Sequence, residues 1–215
     1  VEGTQYMKIA VALLVLLPLA GFIITLLFGK RFFRTKAHLL PVALVTVTAV
    51  LSIYAFEWVV RHPDEAFVWN AFSWVAAGRL TGEWGFLVDS LTGIMLLVVG
   101  IIGMLVHYYS IGYMKDDPGY YRFFAYLNLF MFAMFVLILA NNYLLLFLGW
   151  EGVGLCSYLL ISFWFRKKSA SQAGKKAFLV NRVGDFGFTL GMFLIFVTTG
   201  TLQFTGVFDK AEMIG

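Results

Sequence analysis

Six stretches of this chain, approximately 7–29, 37–60, 86–107, 122–140, 143–165 and 177–199, are each long and apolar enough to cross a bilayer. Crossing a hydrocarbon core about 30 Å thick takes about 20 predominantly apolar residues in a helix. Leu, Val, Ile and Phe fill these stretches without sustained two-residue alternation, which predicts helices rather than the shorter, alternating strands of a membrane barrel. Composition leaves no soluble alternative. Of the 215 residues 61% are apolar and 13% charged, mean hydropathy is +0.86, and a soluble domain of this size has too little interior to hide such a surface. The fold class expected is an all-α, polytopic membrane helix bundle in a single membrane domain. A lone cysteine, Cys156, excludes a disulfide framework and any site built on several thiolates.

The net charge of +4 does not point to nucleic acid, because the basic residues sit in short connections between apolar runs. Connections after the first, third and fifth stretches hold eleven of them: Lys30, Arg31, Arg34, Lys36, Lys115, Arg122, Arg166, Lys167, Lys168, Lys175 and Lys176. The other side holds four, namely Lys8, Arg61, Arg79 and Lys210. By the positive-inside rule the basic side is cytoplasmic and the N-terminus lies outside. The longest connection, 61–85, carries Trp69, Trp74 and Trp84 among Gly and charged residues, which suits an outer-surface loop or short hairpin. Only Asn141-Asn142 separates the fourth and fifth stretches, so these form an antiparallel helical pair. Met7-Lys8 reads as a start, and residues 200–215 as an outer segment leading to further helices.

Three ionisable residues fall at membrane depth. Each costs about +2.5 to +3.5 kcal/mol at a helix centre, so their presence calls for a reason. Glu151 lies eight residues into the fifth stretch and Asp185 eight into the sixth, each about 12 Å from an end at 1.5 Å per residue. The two helices run in opposite directions, which puts both acids near the midplane. Arg182, at i−3 from Asp185, is in reach of an intrahelical pair. Lys175, Phe178, Arg182, Asp185 and Thr189 share one helix face. Phe147, Gly154, Leu155 and Tyr158 share the side of Glu151, and Gly149, Gly152 and Gly154 let a neighbouring backbone or water approach. The Arg182–Asp185 pair reads either as a charge-cancelling clamp or as part of a working network. Glu151 has no basic partner on its own helix. A lone carboxyl in hydrocarbon favours its neutral form, and a cation arriving from another helix restores the charge. Such an acid can load and release a proton.

Other candidates carry less. Asp89, three residues inside the third stretch, reads as an interfacial anchor; His107, at its far end, reads either as an interfacial histidine or as a proton-entry residue. Asn128 reads as an interhelical hydrogen-bonding residue, and Met131 and Met134 as core. The run RKKSASQAGKK is first a topology determinant and then a contact for anionic lipid. No phosphate-binding loop, haem-ligating pair or nucleophile triad appears, so redox chemistry belongs elsewhere.

The runs FLVDSLTGIM, YSIGYMKDDPGYYRFFAYLNLFMFAM, LLLFLGWEGVGLCSYLLISFWF and KKAFLVNRVGDFGF, in that order over about 86–204, resemble the large antiporter-like membrane subunit of respiratory NADH–quinone oxidoreductases, called subunit L or chain 5. The resemblance implies a larger antiporter-like fold with inverted five-helix repeats, of which this chain supplies the N-terminal part. It implies a bacterial inner-membrane location and proton translocation coupled to distant quinone reduction. No cofactor is implied on this chain; flavin, iron–sulfur clusters and quinone fall to partner subunits. Implied partners are other membrane-arm subunits, above all an adjacent antiporter-like subunit, together with membrane lipid.

Matched to that pattern, Glu151 is the carboxylate that pairs with a lysine beyond residue 215, and Arg182 and Asp185 form the pair facing the neighbouring subunit. Lys176, with Lys175 beside it, is a weaker match at the basic edge. Two rivals stand beside this reading: the large subunit of a multisubunit sodium/proton antiporter, and a non-transporting membrane scaffold.

Overall fold

The computed structural model describes residues 2–33, 36–78 and 80–214. Arg34 and Arg79, both counted in the charge distribution, lie outside the described residues. Among the described residues six helices are long and apolar enough to span a membrane. They are α1 (Glu2–Phe28, running on into a π turn over Gly29–Phe33), α2 (Leu39–Arg61), α3 (Ser90–Tyr113), α4 (Tyr120–Leu139), α5 (Tyr143–Ile161) and α6 (Lys168–Thr199). A two-stranded antiparallel hairpin, β1 (Phe67–Ala77) and β2 (Leu80–Val88), interrupts them between α2 and α3, and an eleven-residue helix, α7 (Phe204–Ile214), follows α6. The chain is a multi-pass membrane protein.

Helix α4 is the hub. Half of its spanning window is buried, against 11% for α6. Met131 and Phe135 of α4 meet Leu14 of α1, Val45 of α2 and Leu145 of α5 in one buried cluster. Close approach explains the α4–α5 pair: a Cβ on Gly149 would lie 2.6 Å from the backbone nitrogen of Leu137, so no side chain fits there without parting the helices. Gly152 faces Ala133 in the same seam, whereas Gly154 faces open space.

The hairpin closes one end of the bundle, and the Asn141-Asn142 turn fastens it there. Asn141 donates through Nδ2 to Asn70 Oδ1 at 2.6 Å and through its backbone N–H to the Gly85 carbonyl at 3.2 Å. Asn142 donates through Nδ2 to the Glu83 carbonyl at 2.9 Å, while its own Oδ1 caps α5 by accepting from the Leu145 N–H at 2.9 Å. Phe67, Phe86 and Val88 then plug into the core.

Two sequence expectations change here. Residues 86–88 belong to β2 and not to the third span, since a short apolar run reads equally as strand or helix. Asp89 consequently lies outside the helix as the N-cap of α3, its carboxylate accepting from the Thr92 N–H at 2.8 Å. It occupies one of the orphan donors of the first turn.

Candidate functional site

The site lies where α5 and α6 run side by side. Glu151 is eight residues into α5, about 12 Å from its start and so near mid-helix. Arg182, on α6, donates through Nη1 to Glu151 Oε1 in a short ion pair across the helix seam. Asp185 lies one turn further along α6, and its Oδ1 accepts from the Trp150 indole N–H at 2.8 Å. Two adjacent residues of α5 therefore hold two residues of α6 spaced by one turn. Because both contacts are direct, the four side chains sit at one depth. Glu151 is 20% exposed, Asp185 8% and Arg182 48%.

The expected intrahelical pair is present, with the Arg182 guanidinium 3.9 Å from Asp185 Oδ2, and the same arginine makes a second, shorter pair with Glu151 of the neighbouring helix. Trp150 binds the other oxygen of Asp185, Oδ1, so both acids stay within reach of the guanidinium. The Phe178 ring backs it, 4.8 Å from its central carbon. Aromatic contacts flank the pair along the seam, with Phe147 stacked on Phe188 at 5.5 Å and Tyr158 against Phe178 at 5.7 Å. A cavity of about 400 Å³ between α4, α5 and α6 touches both Glu151 and Arg182, lined otherwise by Leu129, Phe132 and other apolar groups. A charged pair thus borders an apolar space in which either partner can move.

The remaining candidates separate. Lys175 and Lys176 are exposed on α6, and Lys175 stands about 10 Å along the axis from Arg182 at 1.5 Å per residue. They do not join the α5–α6 pair. His107 is buried between α3 and α4, 1% exposed, and α3 continues past it to Tyr113. Its Nδ1 lies 2.7 Å from the Gly103 carbonyl and its Nε2 3.1 Å from Asn128 Nδ2. Only one tautomer satisfies both, with Nδ1–H donating to the carbonyl and Nε2 accepting from the amide. Asn128, fully buried, joins α4 to α3 in this way, as an interhelical residue should, and Gly21 of α1 is small because Asn128 Oδ1 occupies the space of a Cβ. Sequence reasoning missed Trp150. An indole N–H inside a span needs an acceptor, and that was the available signal.

The six membrane-long helices define a multi-pass membrane subunit, and comparison with known proteins gives its class, antiporter-like. Residues 74–124 match the family described as NADH-ubiquinone oxidoreductase (complex I), chain 5 N-terminus. Residues 140–214 match the transmembrane family described as NADH:quinone oxidoreductase/Mrp antiporter. The chain belongs to this complex I chain 5 and antiporter family. It is 46% identical over 209 residues to NADH-quinone oxidoreductase subunit L of Neisseria meningitidis, covering 96% of this chain and 30% of that protein. It is 47% identical over 201 residues to NADH-ubiquinone oxidoreductase chain 5 of Neurospora crassa, covering 94% of this chain and 28% of that one. The chain thus spans about a third of the length of these relatives. The fold is also that of a chain in the Mrp complex from a Dietzia species, with a TM-score of 0.75 at 23% identity over 94% of this chain and 20% of that one.

Proposed function

We propose that the chain is part of a proton-translocating membrane subunit of an NADH–quinone oxidoreductase, and that Glu151 and Arg182 are its protonation-coupled pair. One observation carries this reading: a cross-helix ion pair near the middle of two membrane-long helices, bordering a cavity. A carboxyl group beside a guanidinium favours its ionised form, whereas alone in hydrocarbon it favours the neutral acid. Moving one flexible arginine side chain therefore switches the preferred state of one acid. Asp185 offers that arginine a second acceptor at 3.9 Å. In this scheme quinone reduction elsewhere in the complex biases Arg182 between Glu151 and Asp185, and Glu151 takes up or releases a proton accordingly. Lys175 and Lys176 supply the basic edge of the path and not the switch. Flavin, iron–sulfur clusters and quinone are carried by partner subunits, and an adjacent antiporter-like subunit receives the charge shift. The chain sits in a bacterial inner membrane with its N-terminus outside, as the eleven-to-four distribution of basic residues supports.

Glu151→Gln keeps the shape and a hydrogen-bonding carbonyl but removes the titration. The assembled variant is expected to oxidise NADH with little or no acidification of reconstituted vesicles; normal proton pumping by it contradicts the reading. One rival is a sodium/proton antiporter subunit, since the family matched over residues 140–214 is described by both NADH:quinone oxidoreductase and Mrp antiporter. Sodium-dependent proton movement without any oxidoreductase subunits in the purified complex selects that rival.

A further inference from the structure

A second built site lies at the basic end of the bundle, away from the α5–α6 pair. The end of α1, the start of α4 and the α5–α6 connection surround a cavity of about 490 Å³. Four cations line it, Lys30, Arg122, Arg166 and Lys167, against one carboxylate, Asp117. That carboxylate is already engaged on both oxygens: Oδ1 accepts from the Gly119 N–H at 2.6 Å and Oδ2 from the Trp164 indole N–H at 2.7 Å.

Arg122 is held without a counter-ion. Its guanidinium carbon stands 5.1 Å from the Phe163 ring centroid and 5.2 Å from that of Phe165, a double cation–π cradle. Its Nε is buried and has no hydrogen-bond partner, and among the described residues no carboxylate forms an ion pair with it. The charge of Arg122 is therefore balanced by no carboxylate of the described residues, which leaves the guanidinium suited to an anion from outside the chain. Planar guanidinium groups suit phosphate oxygens, and lysines add unoriented positive charge.

We propose that this cavity binds the phosphodiester headgroup of an anionic phospholipid. Phosphate dissolved in water would satisfy the same cations, but the walls favour lipid. Trp164 and Phe165 are exposed at the ends of apolar spans, the depth at which aromatic rings meet headgroups, so the site offers a charged mouth beside hydrocarbon. An excess of three unneutralised positive charges selects an anionic headgroup over a zwitterionic one, whose own ammonium would be repelled. Lys167, with its ammonium 4.9 Å from the Trp164 ring centroid, closes the outer side.

The test places the full-length chain in phosphatidylcholine vesicles with a trace of phosphatidylglycerol that carries a photoactivatable group near its phosphate. Cross-links are mapped by mass spectrometry. Labelling is expected on residues 163–167, displaced by excess unlabelled phosphatidylglycerol but not by the same excess of zwitterionic phosphatidylethanolamine or by millimolar inorganic phosphate. Arg122→Gln should weaken it about fivefold, the factor for one lost cation near the surface. Lys30→Gln with Arg166→Gln, both exposed and outside the core, should weaken it further without disturbing the fold. Equal displacement by phosphatidylethanolamine, or labelling unmoved by either variant, overturns the proposal. Displacement by inorganic phosphate as effective as by phosphatidylglycerol overturns the lipid assignment.

Discussion

The Trp150 indole donates to Asp185 Oδ1 at 2.8 Å and holds that carboxylate with its other oxygen, Oδ2, 3.9 Å from the Arg182 guanidinium. The same guanidinium pairs across the seam with Glu151. The indole thus positions one of the two acids between which Arg182 is shared.

Trp150→Phe should therefore loosen Asp185 and disturb the sharing of Arg182 between the two acids. Removing the donor leaves a buried carboxylate oxygen unmet, a cost of about 1–3 kcal/mol. Thermal unfolding of the purified protein is expected to shift down, and proton pumping per NADH to fall while NADH oxidation persists. Unchanged pumping with the lower unfolding temperature would leave Trp150 a purely structural residue.

Two glycines a short distance apart on α5 should respond in opposite ways. Gly149→Ala places a Cβ 2.6 Å from the Leu137 backbone, which parts α4 from α5 and should abolish assembly, as judged by recovery of the complex from membranes. Gly154→Ala meets nothing within 4 Å and should assemble normally, with a slight gain from the better helix former.

His107 and Asn128 form one hydrogen-bonded unit inside the bundle. Either His107→Leu or Asn128→Leu strands the other's polar group, for about 1–3 kcal/mol each. The double variant should cost less than the sum, by about 1 kcal/mol in a thermal-unfolding double-mutant cycle. Additive losses would mean that the contact carries no coupling.

Asp89 is expected to act on stability alone. Asp89→Ala removes the α3 cap and should cost about 1 kcal/mol, whereas Asp89→Asn keeps a capping oxygen and should be nearly silent in both unfolding and transport.

Much of the bundle was legible because a spanning helix must be apolar along its whole length. The six spans follow from that demand, and Glu151, Arg182 and Asp185 stood out as charges no lipid-facing position tolerates. What was hidden depends on packing. Residues 86–88 form strand because the hairpin docks on Asn141 and Asn142, a contact some 55 residues distant in sequence. His107 is buried because α3 packs there against Asn128 and Phe124 of α4, a contact no local pattern announces. The i,i+3 pair of Arg182 and Asp185 is local and visible, but the further partners Trp150 and Glu151 require knowing which faces of α5 and α6 meet. The cradle around Arg122 was equally hidden, since Phe163 and Phe165 reach it from another connection.

The most direct test treats Glu151 and Arg182 as one unit. Proton pumping per NADH oxidised is measured in vesicles for Glu151→Gln, Arg182→Gln and the double variant, each confirmed as assembled. A coupled pair loses nearly all pumping in either single variant, and the double variant is no worse. Pumping that survives both single substitutions, or losses that multiply as for independent groups, would show that this ion pair does not move the proton.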